Sequence, residues 1–322
     1  TDQTLLPSAW ALAPQVLTKL AKATVTAWTY DERDNCVRIL LQKAEETDVT
    51  YEVSLVESDR GPWHGSSTEI EIPNPFGPGQ TGSYTVTARL SSPDPAVIDG
   101  DWQESPFRLT KLPPPTDPVL IWEKSTNQII VSFKPGVGTQ RHDVQLLVND
   151  VPFGNVLPTE PNSAGERIPL DDALPAGQIR VQVRSSGVNS QCIPGDWVRS
   201  ATALHRPQAY SQPRLLYRVG AEAITAEWPT SGTRVRLATQ LLTAKTTPVG
   251  AVLELDAPAA AAIKTDLEFG DDLPPGEVRV RFRTMPVIES SLPGVWATST
   301  QTLSRLSQAS RYAEYQYADG TL

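Results

Sequence analysis

Apolar and polar residues alternate along short stretches of the chain, as they do in β-strands with one solvent-facing side. The clearest stretch is residues 276–283, Gly-Glu-Val-Arg-Val-Arg-Phe-Arg, in which apolar and charged side chains take turns. A period of two residues predicts a strand that buries one face. Segments rich in Pro, Gly and Ser separate such stretches. Six or seven strands in roughly 95 residues predict an antiparallel β-sandwich.

One tryptophan marks the same point of this pattern three times, at Trp102, Trp197 and Trp296, with steps of 95 and 99 residues. Each has Gly two residues before it, Ser three after it, Leu seven after it and Arg thirteen before it. Five matched positions at one period predict three copies of one module. The companions are Gly100, Gly195 and Gly294; Ser105, Ser200 and Ser299; Leu109, Leu204 and Leu303; Arg89, Arg184 and Arg283.

An aromatic residue also marks the first strand of each copy, and prolines lie between the copies. Because prolines restrict the conformations of a linker, we expect an elongated arrangement. The aromatic residues are Trp28, Trp122 and Tyr217, and the prolines include Pro113, Pro114, Pro115 and Pro207. The predicted modules are residues 22–112, 113–207 and 208–306.

The residues outside these modules repeat part of the pattern. Trp10 precedes Trp28 by 18 residues, so residues 1–21 are predicted to form the last strand of a preceding module. Tyr315 lies where a new first strand would begin, so residues 307–322 are predicted to start a following module. The alternative is that both segments are ordinary tails.

Two stretches of the third copy resemble fibronectin type III modules. Residues 224–232, Ile-Thr-Ala-Glu-Trp-Pro-Thr-Ser-Gly, are similar to their second strand. Residues 278–283 followed by 294–299, Gly-Val-Trp-Ala-Thr-Ser, are similar to their last two strands. The first copy departs most, with Leu41 where the third has Trp228, and other immunoglobulin-like sandwiches remain possible. The resemblance implies an all-β chain of three tandem antiparallel seven-stranded sandwiches, of a kind that adheres, spaces or presents and rarely catalyses.

Composition restricts the classes of function further. The formal net charge of −9 counts against general binding to nucleic acid or anionic membranes, which favours a basic surface. No apolar stretch approaches the roughly 18–20 residues that cross a membrane. The first residues do not read as a basic-then-apolar signal peptide, which does not exclude export. We predict no nucleic-acid partner and no membrane insertion.

Residues suited to catalysis or metal binding are few. His64, His142 and His205 fall in different modules without zinc-ligand spacing, and are predicted to be exposed or locally hydrogen-bonded. Cys36 and Cys192 are predicted to be unpaired thiols, because a disulfide between them would cross a module boundary. No nucleophile elbow, phosphate loop or dinucleotide fingerprint occurs. The sequence predicts no catalytic residue, metal or cofactor, and so no enzyme.

Two acidic pairs each precede a Leu-Pro sequence, Asp171–Asp172 and Asp271–Asp272. Calcium requires several converging oxygen ligands, and two adjacent carboxylates supply too few. We expect these pairs to cap turns, with calcium binding as the less favoured alternative.

The arginine and tryptophan of each copy are predicted to meet on the solvent face of two adjacent strands. A guanidinium above an exposed indole gains about 0.5–1 kcal/mol. The arrangement resembles the tryptophan–arginine ladders of cytokine receptors, and we predict structural stacks. A binding surface and an absence of contact are the alternatives. The pairs are Arg89 with Trp102, Arg184 with Trp197, and Arg283 with Trp296.

Trp63 and His64 are the candidate contacts for a partner. They lie in the sequence Gly61-Pro-Trp-His-Gly65, where a tryptophan has no obvious core role. Exposed aromatic residues often form interaction hot spots. The alternative is that Trp63 folds back onto its own sheet.

Together these features predict a non-enzymatic spacer or adhesion segment of a larger exported or surface protein, in an extracellular or cell-surface location. Its partner is predicted to be a protein. One alternative is a set of accessory modules in a large secreted enzyme or toxin. Another is a carbohydrate-binding sandwich that uses Trp63 or the loops that carry the repeated tryptophans.

Overall fold

The computed structural model describes residues 16–306 except 59, 78, 139–140, 188–191, 219–221, 260, 270–272 and 289. Within these residues every helix or strand is a β-strand, so the all-β prediction is confirmed. The predictions for residues 1–15 and 307–322 lie outside the described residues. The strands are grouped below into sandwiches 1, 2 and 3.

Sandwich 1 is formed by two facing antiparallel sheets. The strand order is β2-β3-β6 in one sheet and β5-β4-β7-β9 in the other. Alternate residues such as Val37, Ile39 and Val53 point between the sheets and are fully buried. The strands are β1 (Thr18–Lys19), β2 (Val25–Asp31), β3 (Cys36–Leu41), β4 (Thr50–Leu55), β5 (Trp63–Gly65), β6 (Glu69–Pro73), β7 (Gly82–Ser91), β8 (Val97–Ile98) and β9 (Gln103–Lys111).

Sandwich 2 repeats this order with its last strand divided in two. The strands are β10 (Thr116–Glu123), β11 (Gln128–Lys134), β12 (Arg141–Val148), β13 (Val151–Pro158), β14 (Gly165–Pro169), β15 (Gly177–Ser186), β16 (Cys192–Ile193), β17 (Val198–Arg199) and β18 (Leu204–Arg206). The sheets are β10-β11-β14 and β13-β12-β15-β17, with β18 also paired to β15. Ile129 and Val183 are among the fully buried residues between them.

Sandwich 3 has the same two sheets, β19-β20-β23 and β22-β21-β24-β25, with β26 also paired to β24. Its strands are β19 (Arg214–Arg218), β20 (Ala223–Trp228), β21 (Val235–Thr243), β22 (Pro248–Ala257), β23 (Ile263–Glu268), β24 (Gly276–Met285), β25 (Ala297–Thr298) and β26 (Leu303–Arg305). Val278, Val280 and Phe282 are buried, as the alternation in β24 predicts.

The repeated serine closes the break in the last strand of sandwiches 2 and 3. Ser200 Oγ accepts a hydrogen bond from Val181 N at 3.3 Å and donates to Thr202 O at 2.8 Å. Ser299 Oγ makes the equivalent two bonds at 3.1 and 2.8 Å. These bonds pair backbone groups that the interrupted strand leaves free. In sandwich 1 the strand is continuous, and Ser105 Oγ accepts from a backbone N two residues later.

Candidate functional site: arginine–tryptophan stacks and the joints between sandwiches

Each of the repeated tryptophans lies against the guanidinium group of its arginine. In sandwich 1 the guanidinium carbon of Arg89 is 4.9 Å from the ring centroid of Trp102. This is inside the roughly 6 Å over which the ring attracts a cation. The corresponding distances are 4.5 Å for Arg184 and Trp197 and 4.5 Å for Arg283 and Trp296.

Arg89 joins the stack of sandwich 1 to a buried carboxylate. Its Nε donates to Glu52 Oε2 at 2.6 Å, and its Nη2 lies 3.3 Å from Asp99 Oδ2. Glu52 is directly opposite Arg89 on the neighbouring strand and is 7% exposed. Burial raises the pKa of Glu52, but hydrogen bonds to its carboxylate, first that from Arg89, outweigh burial and hold the pKa below its ordinary value.

Arg184 is buried, so the prediction that this arginine lies on a solvent face is wrong. Its Nε donates to Asp143 Oδ2 at 2.9 Å from the opposite strand. Its Nη2 donates at 3.1 Å to Glu32 Oε2, which belongs to the turn after β2 in sandwich 1. Burial lowers the pKa of Arg184, but the hydrogen bonds that Arg184 donates to these two carboxylates outweigh burial and raise the pKa. The stack of sandwich 2 is therefore also a contact between sandwiches.

In the stack of sandwich 3, no described acidic residue takes the place of Glu52 and Asp143. The residue opposite Arg283 is Ala238, and among the described residues Arg283 Nε has no hydrogen-bond partner. A second arginine, Arg281, also lies 4.5 Å from the Trp296 centroid. Burial lowers the pKa of Arg283. The charge of Asp172 in sandwich 2 acts in the opposite direction but is the smaller effect.

Each joint between successive sandwiches contains one aliphatic residue, which we call the plug residue. It lies four positions before the repeated tryptophan. In the first joint it is Ile193, which is 2% exposed and belongs to the hydrophobic core of sandwich 1. Its strand β16 runs parallel to the end of β9, with Ile193 opposite Lys111. The plug residues are Ile98, Ile193 and Leu292.

The second joint repeats the first. Leu292 is fully buried and belongs to the core of sandwich 2. Its backbone N donates to His205 O at 2.8 Å, and His205 N donates to Ser290 O at 2.9 Å. Each of these two cores is thus completed by a residue of the following sandwich. Comparison of the copies could have revealed an aliphatic residue at this position, but sequence reasoning missed it.

A lysine–aspartate ion pair accompanies the first joint. Lys111 Nζ lies 2.7 Å from Asp196 Oδ1, and Asp196 Oδ2 accepts from Gly79 N at 3.1 Å. Lys19 Nζ and Asp101 form the same pair at 2.8 Å beside sandwich 1. Asp101 and Asp196 each directly precede a repeated tryptophan. The end of β1 therefore contacts sandwich 1 in the same way that the end of β9 contacts sandwich 2.

The repeated glycine lies where neighbouring atoms leave no room for a side chain. A Cβ on Gly195 would lie 2.8 Å from Leu112 O, closer than real Cβ atoms approach. A Cβ on Gly100 would meet Ala21 O, and one on Gly294 would meet Thr284 Oγ1. At Gly100 and Gly195 a side chain would push the preceding segment away, and at Gly294 it would collide with the Thr284 side chain of the same sandwich.

Trp63 and His64 lie on the edge strand β5 of sandwich 1. Trp63 is half-buried and packs against the core of that sandwich. The His64 side chain is 52% exposed, with Nδ1 3.4 Å from Glu52 Oε1. A partner at this edge would thus meet the imidazole and only part of the indole.

His142 contradicts the expectation that the histidines are exposed or locally bonded. It is fully buried, and among the described residues neither ring nitrogen has a hydrogen-bond partner. Its ring packs on Phe133 with centroids 4.7 Å apart. Burial lowers its pKa, which the charge of Asp143 partly opposes.

The remaining candidate residues have local roles. The carboxylate of Asp171 accepts from Ala173 N, and Asp171 O accepts from buried Arg206 at 2.7 Å, so this residue organises a turn. Asp271 and Asp272 lie outside the described residues. Both cysteine thiols are free.

The described residues contain no candidate metal site and no candidate membrane-spanning helix. There, no group of three or more His, Cys, Asp or Glu side chains could hold a metal ion. No helix in that part of the chain is long and apolar enough to cross a membrane.

No family model matches the chain, and no curated protein matches it significantly. Solved structures that match include the FN1–FN3 domains of chicken CNTN1, at 10% identity and a TM-score of 0.26, covering 90% of this chain and 99% of that one. Another is a segment of two fibronectin type III domains from chicken tenascin, at 11% identity and a TM-score of 0.25, covering 60% of this chain and 99% of that one. Since these TM-scores are low, the fold is defined by its strand order and core packing alone.

Proposed function

Because the chain folds into tandem sandwiches of the fibronectin type III-like kind, we propose that it is a non-enzymatic spacer or adhesion segment of a larger exported or surface protein. The observation that carries the proposal is the repeated joint. Ile193 and Leu292 each complete the core of the sandwich before their own. Such joints hold neighbouring sandwiches in a fixed relation, which is what a spacer requires.

The contacts at the first joint act together. Burial of a large aliphatic side chain such as Ile193 contributes about 1.5–3 kcal/mol. Arg184 adds a hydrogen-bonded ion pair with Glu32 across the joint, and its side chain is only 11% exposed. Domains joined by small polar contacts move relative to each other by default. The buried apolar residue and the buried charge favour restricted motion instead.

Distances between spin labels in sandwiches 1 and 3 test the spacer proposal. Val56 and Val252 are exposed positions for the labels, after both native cysteines have been replaced by alanine. We expect a narrow distance distribution in this background. Replacing Ile193 by Ser should broaden it, because the first joint loses its buried contact.

The matched control is Ile98→Ser, which changes the same repeat position where the side chain is 45% exposed. It should leave the distribution narrow. Circular dichroism checks that the strands persist in both variants. A distribution that is already broad in the background, or one that Ile193→Ser leaves unchanged, would show that the joints do not fix the sandwiches.

Location and partner belong to the same proposal. Cleavage by a protease added to intact cells that make the protein tests the surface location. Capture of a protein partner should depend on residues outside the joints, such as the exposed His64.

A further inference from the structure

The plug residue of sandwich 1 is exposed. Ile98 occupies the repeat position of Ile193 and Leu292, yet it is 45% exposed where they are 2% and 0% exposed. Its strand β8 runs parallel to β1, as β16 runs parallel to β9. The backbone of the joint is thus present beside sandwich 1, whereas the described residues provide no core to receive the side chain of Ile98.

Sandwich 3, at the other end of the described chain, has an open cavity where sandwiches 1 and 2 each take up a plug residue. In sandwich 3 a cavity of about 280 Å³ lies at the end of β26, and we call it the socket. An apolar cavity of roughly 150 Å³ is enough to bind benzene. Residues of the socket include Phe269, Leu273, Val278 and Leu303. Their counterparts in sandwich 2 are Leu170, Leu174, Ile179 and Leu204, which share a hydrophobic cluster with Leu292.

We propose that the Ile98 loop of one copy of this chain inserts into the socket of a second copy, joining the copies head to tail as successive sandwiches are joined within the chain. The contact continues an interface that the chain already forms twice. The charges match those of the first joint, because Asp101 corresponds to Asp196 and Arg305 to Lys111. Asp101 would exchange its ion pair with Lys19 for one with Arg305 of the second copy. A head-to-tail contact between different surfaces does not close on itself and extends into oligomers.

The backbone exchange that this contact requires is small. In the occupied joints the plug strand pairs with the last strand of the receiving sandwich. The end of β26 of the second copy would therefore replace β1 beside β8. Three residues give up contacts with the segment around Ile98: Thr18 and Lys19, both exposed, and Leu20 through its backbone N. The ion pair of Lys19 with Asp101 is given up with them. The hydrogen bonds from Thr18 N to Ala96 O and from Leu20 N to Ile98 O are exchanged for equivalent ones.

Sedimentation velocity of the full chain, from about 1 to several hundred micromolar, tests the proposal. We expect the sedimentation coefficient to rise with concentration. Ile98→Asp, which changes the plug residue, and Leu306→Asp, which changes an exposed residue of the socket, should each weaken association at least tenfold. Val137→Asp, at a position 91% exposed in sandwich 2, is the control and should associate as the unchanged chain does.

A mixture of the two variants distinguishes this contact from other forms of self-association. The Ile98→Asp chain keeps its socket and the Leu306→Asp chain keeps its plug residue, so the mixture should form dimers and nothing larger. A monomeric unchanged chain, or a mixture that stays monomeric while the unchanged chain associates, would overturn the proposal. Association that arises only when the chain is ended at Leu306 would show that residues 307–322 fill the socket, and would also overturn it.

Discussion

Replacing Ile193 by alanine should destabilise sandwich 1, although the residues next to Ile193 along the chain belong to sandwich 2. Ile193 is 2% exposed within the core of sandwich 1, although its own strand β16 precedes the last strands of sandwich 2. The change removes three carbon atoms. At about 0.8 kcal/mol for each buried carbon the loss is about 2.4 kcal/mol, and the cavity left behind raises it to roughly 2.5–4 kcal/mol.

Hydrogen exchange measures this effect in each sandwich separately, because the most protected amides report the stability of their own unit. With a factor of ten for each 1.4 kcal/mol, exchange at Val37 and Ile39 in sandwich 1 should accelerate about 60- to 700-fold. Ile98→Ala removes the same atoms at a position 45% exposed, so its cost is about 1.3 kcal/mol and its effect about tenfold. Samples are kept dilute to avoid association.

Two results would refute the reasoning. In the first, Ile193→Ala accelerates exchange at Ile129 in sandwich 2 and leaves Val37 unchanged. In the second, Ile193→Ala and Ile98→Ala have equal effects on sandwich 1. Either would mean that Ile193 does not complete the core of the neighbouring sandwich.

Three further substitutions test the buried polar groups. The unchanged chain should lose stability as pH falls below about 6.5, because the depressed pKa keeps His142 neutral in the folded state while the unfolded chain takes up a proton. His142→Phe should be more stable and should not show this loss, as measured by urea unfolding at pH 7.5 and 5.5. Glu52→Gln should lower the free energy of unfolding by about 1.5–3 kcal/mol at neutral pH, since Arg89 loses a charged partner. Below pH about 4.5, where protonation of Glu52 destabilises the unchanged chain, the stability of the variant should depend less on pH, and equal acid sensitivity of both chains would contradict this. Ala238→Asp should raise the thermal unfolding temperature relative to Ala238→Asn by giving Arg283 the acid that the other stacks have, by about 1 kcal/mol in stability, and no difference between the two would count against it.

The parts of the structure that the sequence predicts well are local. Alternation along each strand predicts the all-β fold because the period of two is set by the strand itself. Arg184 and Trp197 meet because both lie within one sandwich: Arg184 is on β15, and Trp197 directly precedes β17, which pairs with β15. The same alternation also places His142 with Val144 on the apolar face, but we expected an exposed or locally hydrogen-bonded histidine and did not use this signal.

What the sequence did not predict lies between sandwiches. Arg184 is buried by Glu32, which is 152 residues away along the chain and belongs to a turn with no periodic pattern. An aliphatic residue before each tryptophan is visible in the sequence, but nothing there shows whether Ile193 faces its own core or that of its neighbour. Contacts of this kind depend on the orientation of whole units, which no local pattern encodes.

The shared cores have a consequence for the order in which the protein is made. The strands of sandwich 1 end at Lys111, yet the core they enclose is completed by Ile193, roughly 80 residues later. At the usual rate of synthesis of about 5–20 residues per second, the ribosome needs about 4–16 s to reach it. During that interval the nascent unit carries an unfilled apolar opening, so the speed of translation through residues 112–193 governs how long a newly made chain can be captured by chaperones or by its neighbours on a polysome.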